Sequence, residues 1–245
     1  MSTQITLIDW IPNLWRGLQL TLLITGLSIL LMLALSIILG VMARTPAVWV
    51  RAIARTIIEF FRGTSLVIQL FWMYFALPIL LGVRLDAVLV GVIAFGLNFG
   101  AYGAEVVRGS LNAVPRAQWE AATALNFTAW QRMRKVIWPQ AIVLMIPPMN
   151  NLLIQLLKST PLLTAISLVD VMAMGQGFIN RTGDPALMYL VLMVIYFVIA
   201  YVITFISRGA ETFAKARLGR HAGLRSIFRK SAEDKQADVS SLEKA

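Results

Sequence analysis

Two triads of polar residues stand in an otherwise apolar chain. Asn98, Tyr102 and Glu105 are spaced i, i+4, i+7, and Asn151, Gln155 and Lys158 repeat that spacing. On helices, each triad lies along one face. Amides both donate and accept hydrogen bonds, and an ammonium attracts a carboxylate. The chemistry these groups offer is recognition of a polar solute, with Lys158 drawing in a carboxylate and the amides holding polar groups along a path. Plainer roles fit the same residues. Glu105 stands three residues before Arg108, a spacing that suits an ion pair. Asn98 and Asn151 suit hydrogen bonds that join neighbouring helices.

Bond-making chemistry has few residues to work with. The chain has no cysteine and one histidine, His221, in a polar tail. Thiol catalysis, thiolate metal sites and imidazole acid–base work within the apolar part are therefore excluded. The segment "LLKST" at 156–160 carries a Lys-Ser pair, but no glycine precedes it. A phosphate loop needs glycines whose backbone amides cradle the phosphates. No ATP site, cofactor or metal is expected in this chain.

The elements that must position the triads are membrane spans. Of 245 residues, 58% are hydrophobic and 14% charged, with a mean hydropathy of +0.75. Uncharged runs cover 17–43, 63–83, 87–104, 136–157 and 185–207. A helix rises about 1.5 Å per residue and the hydrocarbon layer is about 30 Å thick, so each run can cross once. The expected fold is an all-α integral membrane protein with five transmembrane helices. The first run is too long for the apolar part of a cleaved signal, and no small-residue cleavage site follows it.

Five spans place the termini on opposite sides. Only four of the 22 basic residues, Arg16, Arg84, Lys158 and Arg181, fall on the side of the N-terminus. Arg44, Arg51, Arg55, Arg108, Arg116, Arg132, Arg134, Lys135 and the basic tail fall on the other, while Arg62 stands at a helix boundary. Basic loops stay in the cytoplasm, so the N-terminus is expected outside and the tail inside. The net charge of +10 thus reports topology and not nucleic-acid binding. "TPAVWVRAIARTIIEFFR", with charges at 51, 55, 59 and 62, reads as a helix along the inner membrane surface.

The expected organisation is an extracytoplasmic segment at 1–16, a membrane domain at 17–207 and a basic tail at 208–245. The tail is expected to be disordered beyond about residue 221, where large apolar side chains are few. Pro139, Pro147 and Pro148 make the fourth run irregular, and 159–184 reads as an outer segment with "NRTGDP" as a loop.

One cytoplasmic stretch, about 115–139, stands apart as a polar helical corner. Pro115 suits a helix start, and "RAQWEAATAL" follows as a good helix former. Asn126 stands where a left-handed residue closes a helix. Thr128 and Gln131 form a capping box for a second helix, which Pro139 is expected to interrupt.

This corner resembles the EAA loop of ABC-importer permease subunits, through Glu120, Ala121, Ala122, Asn126, Ile137 and Pro139. The resemblance extends to "GLQLTLLITGLSILLMLALSIILGVMAR", "EFFRGTSLVIQLFWMYFALP", "AYGAEVVRGSLNAVP" and "PPMNNLLIQLLKSTPLLTAISLVDVM", and is to the polar-amino-acid branch of that family. Asn126 replaces the family's glycine; asparagine tolerates positive φ at a cost of about 1 kcal/mol. The resemblance implies a type I importer permease in the bacterial inner membrane. It implies docking of an ATP-binding cassette dimer on Glu120, Ala121, Ala122, Leu125 and Asn126. It further implies a second permease, identical or similar, and an extracytoplasmic solute-binding protein. A rival reading is a stand-alone secondary transporter or channel, with Glu105, Lys158 and Asp170 as its only coupling groups near the spans.

Overall fold

The computed structural model describes residues 7–217, and every regular element in that range is helical. The tail beyond lies outside the described residues. Four helical stretches are long and apolar enough to cross a membrane: Leu7–Met42, Ala87–Asn112, Ala129–Ile166 and Pro185–Ala216. A fifth comes from the bent pair Val48–Gly63 and Leu66–Leu81, whose halves meet at 102°.

The central span is α5 (Ala87–Asn112), and α1 (Leu7–Met42) packs along it. Small side chains make this possible. Thr21, Thr25, Ser28, Ser36 and Gly40 form a buried stripe on α1, while along α5 Gly96 and Gly100 make room for Leu31 and Leu35 and Gly103 for Ser36. A Cβ on Gly100 would lie 2.9 Å from Leu35 Cβ, so only glycine allows this approach. Ser36 Oγ donates to its own Met32 carbonyl at 2.6 Å and across the seam to the Gly100 carbonyl at 3.3 Å. Between membrane helices, where lipid removes the hydrophobic drive, such close packing supplies much of the adhesion.

Past α1 lies α2 (Val48–Gly63), with Ala54 and Ile58 buried and Arg55, Glu59 and Trp49 exposed. The chain then turns into α3 (Leu66–Phe71), a π-helical segment at Trp72–Ala76, and α4 (Leu77–Leu81). This right-angled course fits a surface helix that leads into a membrane-entering one. Beyond α5 come α6 (Arg116–Ala124) and α7 (Ala129–Arg132), a second π segment at Met133–Ile137, and α8 (Trp138–Ser159). After a 3₁₀ stretch at Thr160–Ile166, α9 (Val171–Thr182) and α10 (Pro185–Arg217) complete the described chain.

Several boundaries differ from expectation. Pro139 does not interrupt the helix begun at Thr128. The π segment widens the backbone just before it, and the Trp138 N–H bonds back to the Met133 carbonyl. The widened turn absorbs the proline's missing donor and its clash with the preceding turn. Pro78 follows the first π segment at the same offset, where the Leu77 N–H reaches the Trp72 carbonyl. Helix α1 starts within the segment read as an extracytoplasmic tail, and α10 runs past Ser207 into the basic region. Charge marks the edge of the lipid, whereas hydrogen bonding decides where a helix stops. Of "NRTGDP", only Gly183 (φ +72°) and Asp184 lie between helices.

Candidate functional site

The polar corner is assembled from local signals. Helix α6 ends in a Schellman arrangement: the Phe127 N–H donates to the Ala122 carbonyl at 3.1 Å, and the Asn126 N–H to the Thr123 carbonyl at 2.9 Å. Asn126 takes the left-handed position with φ of +56°. Thr128 caps α7: its hydroxyl accepts from the Gln131 N–H at 3.3 Å, and its own N–H donates to Gln131 Oε1 at 3.0 Å. One helix stop and one helix start within a few residues make a tight corner.

Its outward surface is small-sided. Ala117, Ala121 and Ala124 are exposed, as are Glu120 and Asn126, and Leu125 is 68% exposed. Glu120 accepts from Arg116 Nε at 3.0 Å, an ion pair open to solvent. Ala122 faces the other way. It is 2% exposed, on the side of α6 packed toward the Met133–Ile137 segment. Of the residues expected to dock a partner, it alone is turned into its own chain.

The first triad is occupied internally. Asn98, 4% exposed, donates from Nδ2 to the Phe61 carbonyl at 3.0 Å and to Gln69 Oε1 at 3.2 Å. Gln69 Nε2 donates to the Phe61 carbonyl and to Thr64 Oγ1, at 3.0 and 2.6 Å. This network pins the α2–α3 bend to α5. The Tyr102 hydroxyl donates to the Arg62 carbonyl at 3.3 Å, and the Arg62 guanidinium stands 5.5 Å from its ring. Glu105 and Arg108 form the ion pair that their spacing suggested, closest at 2.6 Å.

The second triad is free. Asn151, Gln155 and Lys158 are exposed along one side of α8, and their side chains carry no hydrogen bond or ion pair within the described residues. No hydrogen bond joins the two triads. Asp170 is fully buried as the N-cap of α9, where Oδ1 accepts from the Ala173 N–H at 2.9 Å and the Thr164 hydroxyl at 2.8 Å. Burial raises its pKa above the ordinary carboxylate value, against the pull of these hydrogen bonds. With Glu105 paired and Asp170 serving as a cap, two of the three groups available to an ion-driven carrier have structural work already.

Sequence reasoning missed Gln69, a lone amide in an uncharged run, and Trp119. The Trp119 ring lies 5.3 Å from the Arg44 guanidinium and 5.8 Å from that of Arg132. Its only sequence signal was an aromatic residue within an alanine-rich helix.

Comparison with known proteins agrees with this geometry. Residues 32–212 match the family described as binding-protein-dependent transport system inner membrane component. A probable amino-acid ABC transporter permease of Sinorhizobium fredii is 41% identical, over 83% of this chain and 88% of that one. The glutamine transport system permease protein of Escherichia coli is 34% identical, over 83% and 96%. A crystal structure of an amino acid ABC transporter with histidines superposes with a TM-score of 0.78 at 28% identity, covering 86% of this chain and 99% of the other. The chain therefore belongs to the binding-protein-dependent transport system inner membrane components, the membrane-spanning permease subunits of ABC importers.

Proposed function

We propose that this permease imports a polar amino acid or an amino-acid-like solute as one of a pair of permeases around a shared path. The substrate class follows from relatives that are named for amino acids, one of them for glutamine. One observation carries the paired arrangement. Asn151, Gln155 and Lys158 lie uncovered on a membrane-spanning helix. Polar side chains facing hydrocarbon are costly, here Asn151 and Gln155 with Lys158 in the last turn, so such a face is covered by protein or water. A second permease, identical or similar, supplies both, and Lys158 meets the substrate carboxylate in the space between.

Helix α6 docks an ATP-binding subunit through Glu120, Ala121, Leu125 and Asn126, with Ala122 seating the helix on its own chain. An extracytoplasmic binding protein delivers the solute to the side of the N-terminus, and α6 lies in the cytoplasm. The test is to purify the assembled transporter carrying Ala121→Trp or Leu125→Glu. The expected result is normal membrane insertion with loss of the co-purified ATP-binding subunit and at least a tenfold fall in uptake, the scale of a docking hot spot. Full substrate-stimulated hydrolysis in both variants overturns the docking assignment. Uptake of wild-type rate in Lys158→Met removes Lys158 from the path.

A further inference from the structure

Docking at α6 explains how a motor grips the protein, not how its motion reaches the spans. The end of α1 bears on that second step. Just past its last turn the Arg44 N–H bonds the Val41 carbonyl at 3.0 Å, and the Arg44 guanidinium stands over the Trp119 ring of α6. Arg44 Nη1 is buried without a hydrogen-bond partner. Burial and the neighbouring Arg108 both lower the pKa of Arg44, a sign that its charge is poorly solvated there. The Trp119 ring, 5.3 Å away, is the group that compensates it.

Trp119 is itself held from a second direction. Arg132 Nη1 donates to Thr123 Oγ1 at 2.8 Å, and that hydroxyl donates to the Trp119 carbonyl at 2.9 Å. Arg44 on Trp119 is the one ring contact or hydrogen bond that ties the end of α1 to α6 among the described residues. It borders a cavity of about 240 Å³ lined by Val41, Arg44, Thr45, Leu111, Met133 and Trp138. That space leaves the guanidinium room to follow the ring. Behind it, the glycine seam fastens α1 to α5. A Cβ on Gly40 would come within 2.7 Å of Val107 Cβ, so the end of α1 packs backbone-close on α5.

We propose that the Arg44–Trp119 contact is the joint through which displacement of α6 passes to α1, with Trp119 a positioning residue for coupling ATP hydrolysis to transport. This rests on α6 being the docking helix. The joint pairs a half-buried cation with an aromatic ring, so drawing the ring away from Arg44 costs electrostatic attraction as well as contact.

The test uses the whole transporter, reconstituted in vesicles with its ATP-binding subunit and loaded binding protein, and reads uptake per ATP hydrolysed. Arg44→Gln keeps a long polar side chain without the charge. It should lower that ratio about fivefold, the scale of a half-buried cation–π pair. The ATP-binding subunit should still co-purify and basal hydrolysis should hold. Arg44→Lys, which returns a cation to the ring, should recover most of the ratio. Trp119→Phe combined with Arg44→Gln should lose no more than Arg44→Gln alone, since both remove one interaction. A wild-type ratio in Arg44→Gln, failure of Arg44→Lys to rescue, or losses that multiply in the double variant each overturn the joint. If Trp119→Phe releases the ATP-binding subunit, Trp119 belongs to the docking surface and the joint is likewise overturned. Failure of the wild-type protein to hold an ATP-binding subunit sinks the docking reading itself, before any variant is compared.

Discussion

Asp170 shows how one buried group can set a pH dependence. Oδ1 is fully used as a cap, while Oδ2 is buried with no partner. A carboxyl so placed is favoured in its protonated form, so its folded pKa lies above the unfolded one. Its contribution to stability is therefore full at low pH. It declines as pH rises from the ordinary carboxylate range, about 3.9, through the raised folded value. Asp170→Asn retains an acceptor for the Ala173 N–H and the Thr164 hydroxyl and carries no charge. Thermal unfolding in detergent across pH should show that variant at least as stable as wild type near neutrality, with the decline flattened. Asp170→Ala loses the cap and should cost about 0.5–2 kcal/mol at every pH. If Asp170→Asn is clearly less stable at neutral pH, the charged form is the one the fold uses.

Among elements, the seam between α1 and α5 dominates. Gly40→Val would drive a branched side chain into Val107 and the Ala104 carbonyl, 2.7 and 2.8 Å from the first added carbon. A destabilisation of about 1–3 kcal/mol is expected, read as a lower melting temperature and lower yield. Gly26, on the same helix, has nothing within 4 Å of an added Cβ. Gly26→Ala should be neutral or gain up to about 1 kcal/mol of helix propensity. Equal losses in the two variants would mean that helix propensity, not the seam, governs α1. This scale also separates what could be read from sequence and what could not. The Asn126 turn and the Thr128–Gln131 box were legible because each is complete within a few residues. The π segments before Pro78 and Pro139 were not, since a proline reports only that the helix must adjust and not how. Asn98 was legible as a buried polar group, but its partners Phe61 and Gln69 lie across the 102° bend, which no local pattern encodes. The direction of Ala122 likewise depends on how α6 rests on the Met133–Ile137 segment. Neighbouring alanines in a nine-residue helix are otherwise equivalent.

For the molecule as a whole, the polar corner is expected in the cytoplasm and the turn after α4 outside. Helix α5 alone separates them, and it is a single uninterrupted span. The chain has no native cysteine, so single cysteines report their own side without background. Ala121 and Arg84 are both exposed, one on α6 and one in the turn before α5. In intact cells whose outer membrane has been made permeable, a membrane-impermeant maleimide should label Arg84→Cys and leave Ala121→Cys unmodified until the cells are lysed. Adding purified ATP-binding subunit to the lysed membranes should then protect Ala121→Cys and leave Arg84→Cys reactive. The reverse pattern would invert the molecule. It would put the basic segments outside, against the rule that basic loops stay in the cytoplasm, and leave α6 where no nucleotide-driven subunit could reach it. Protection is the stricter half of the experiment. Orientation alone is compatible with any five-span protein, whereas shielding of one small side chain on a nine-residue helix ties that orientation to the docking of a motor.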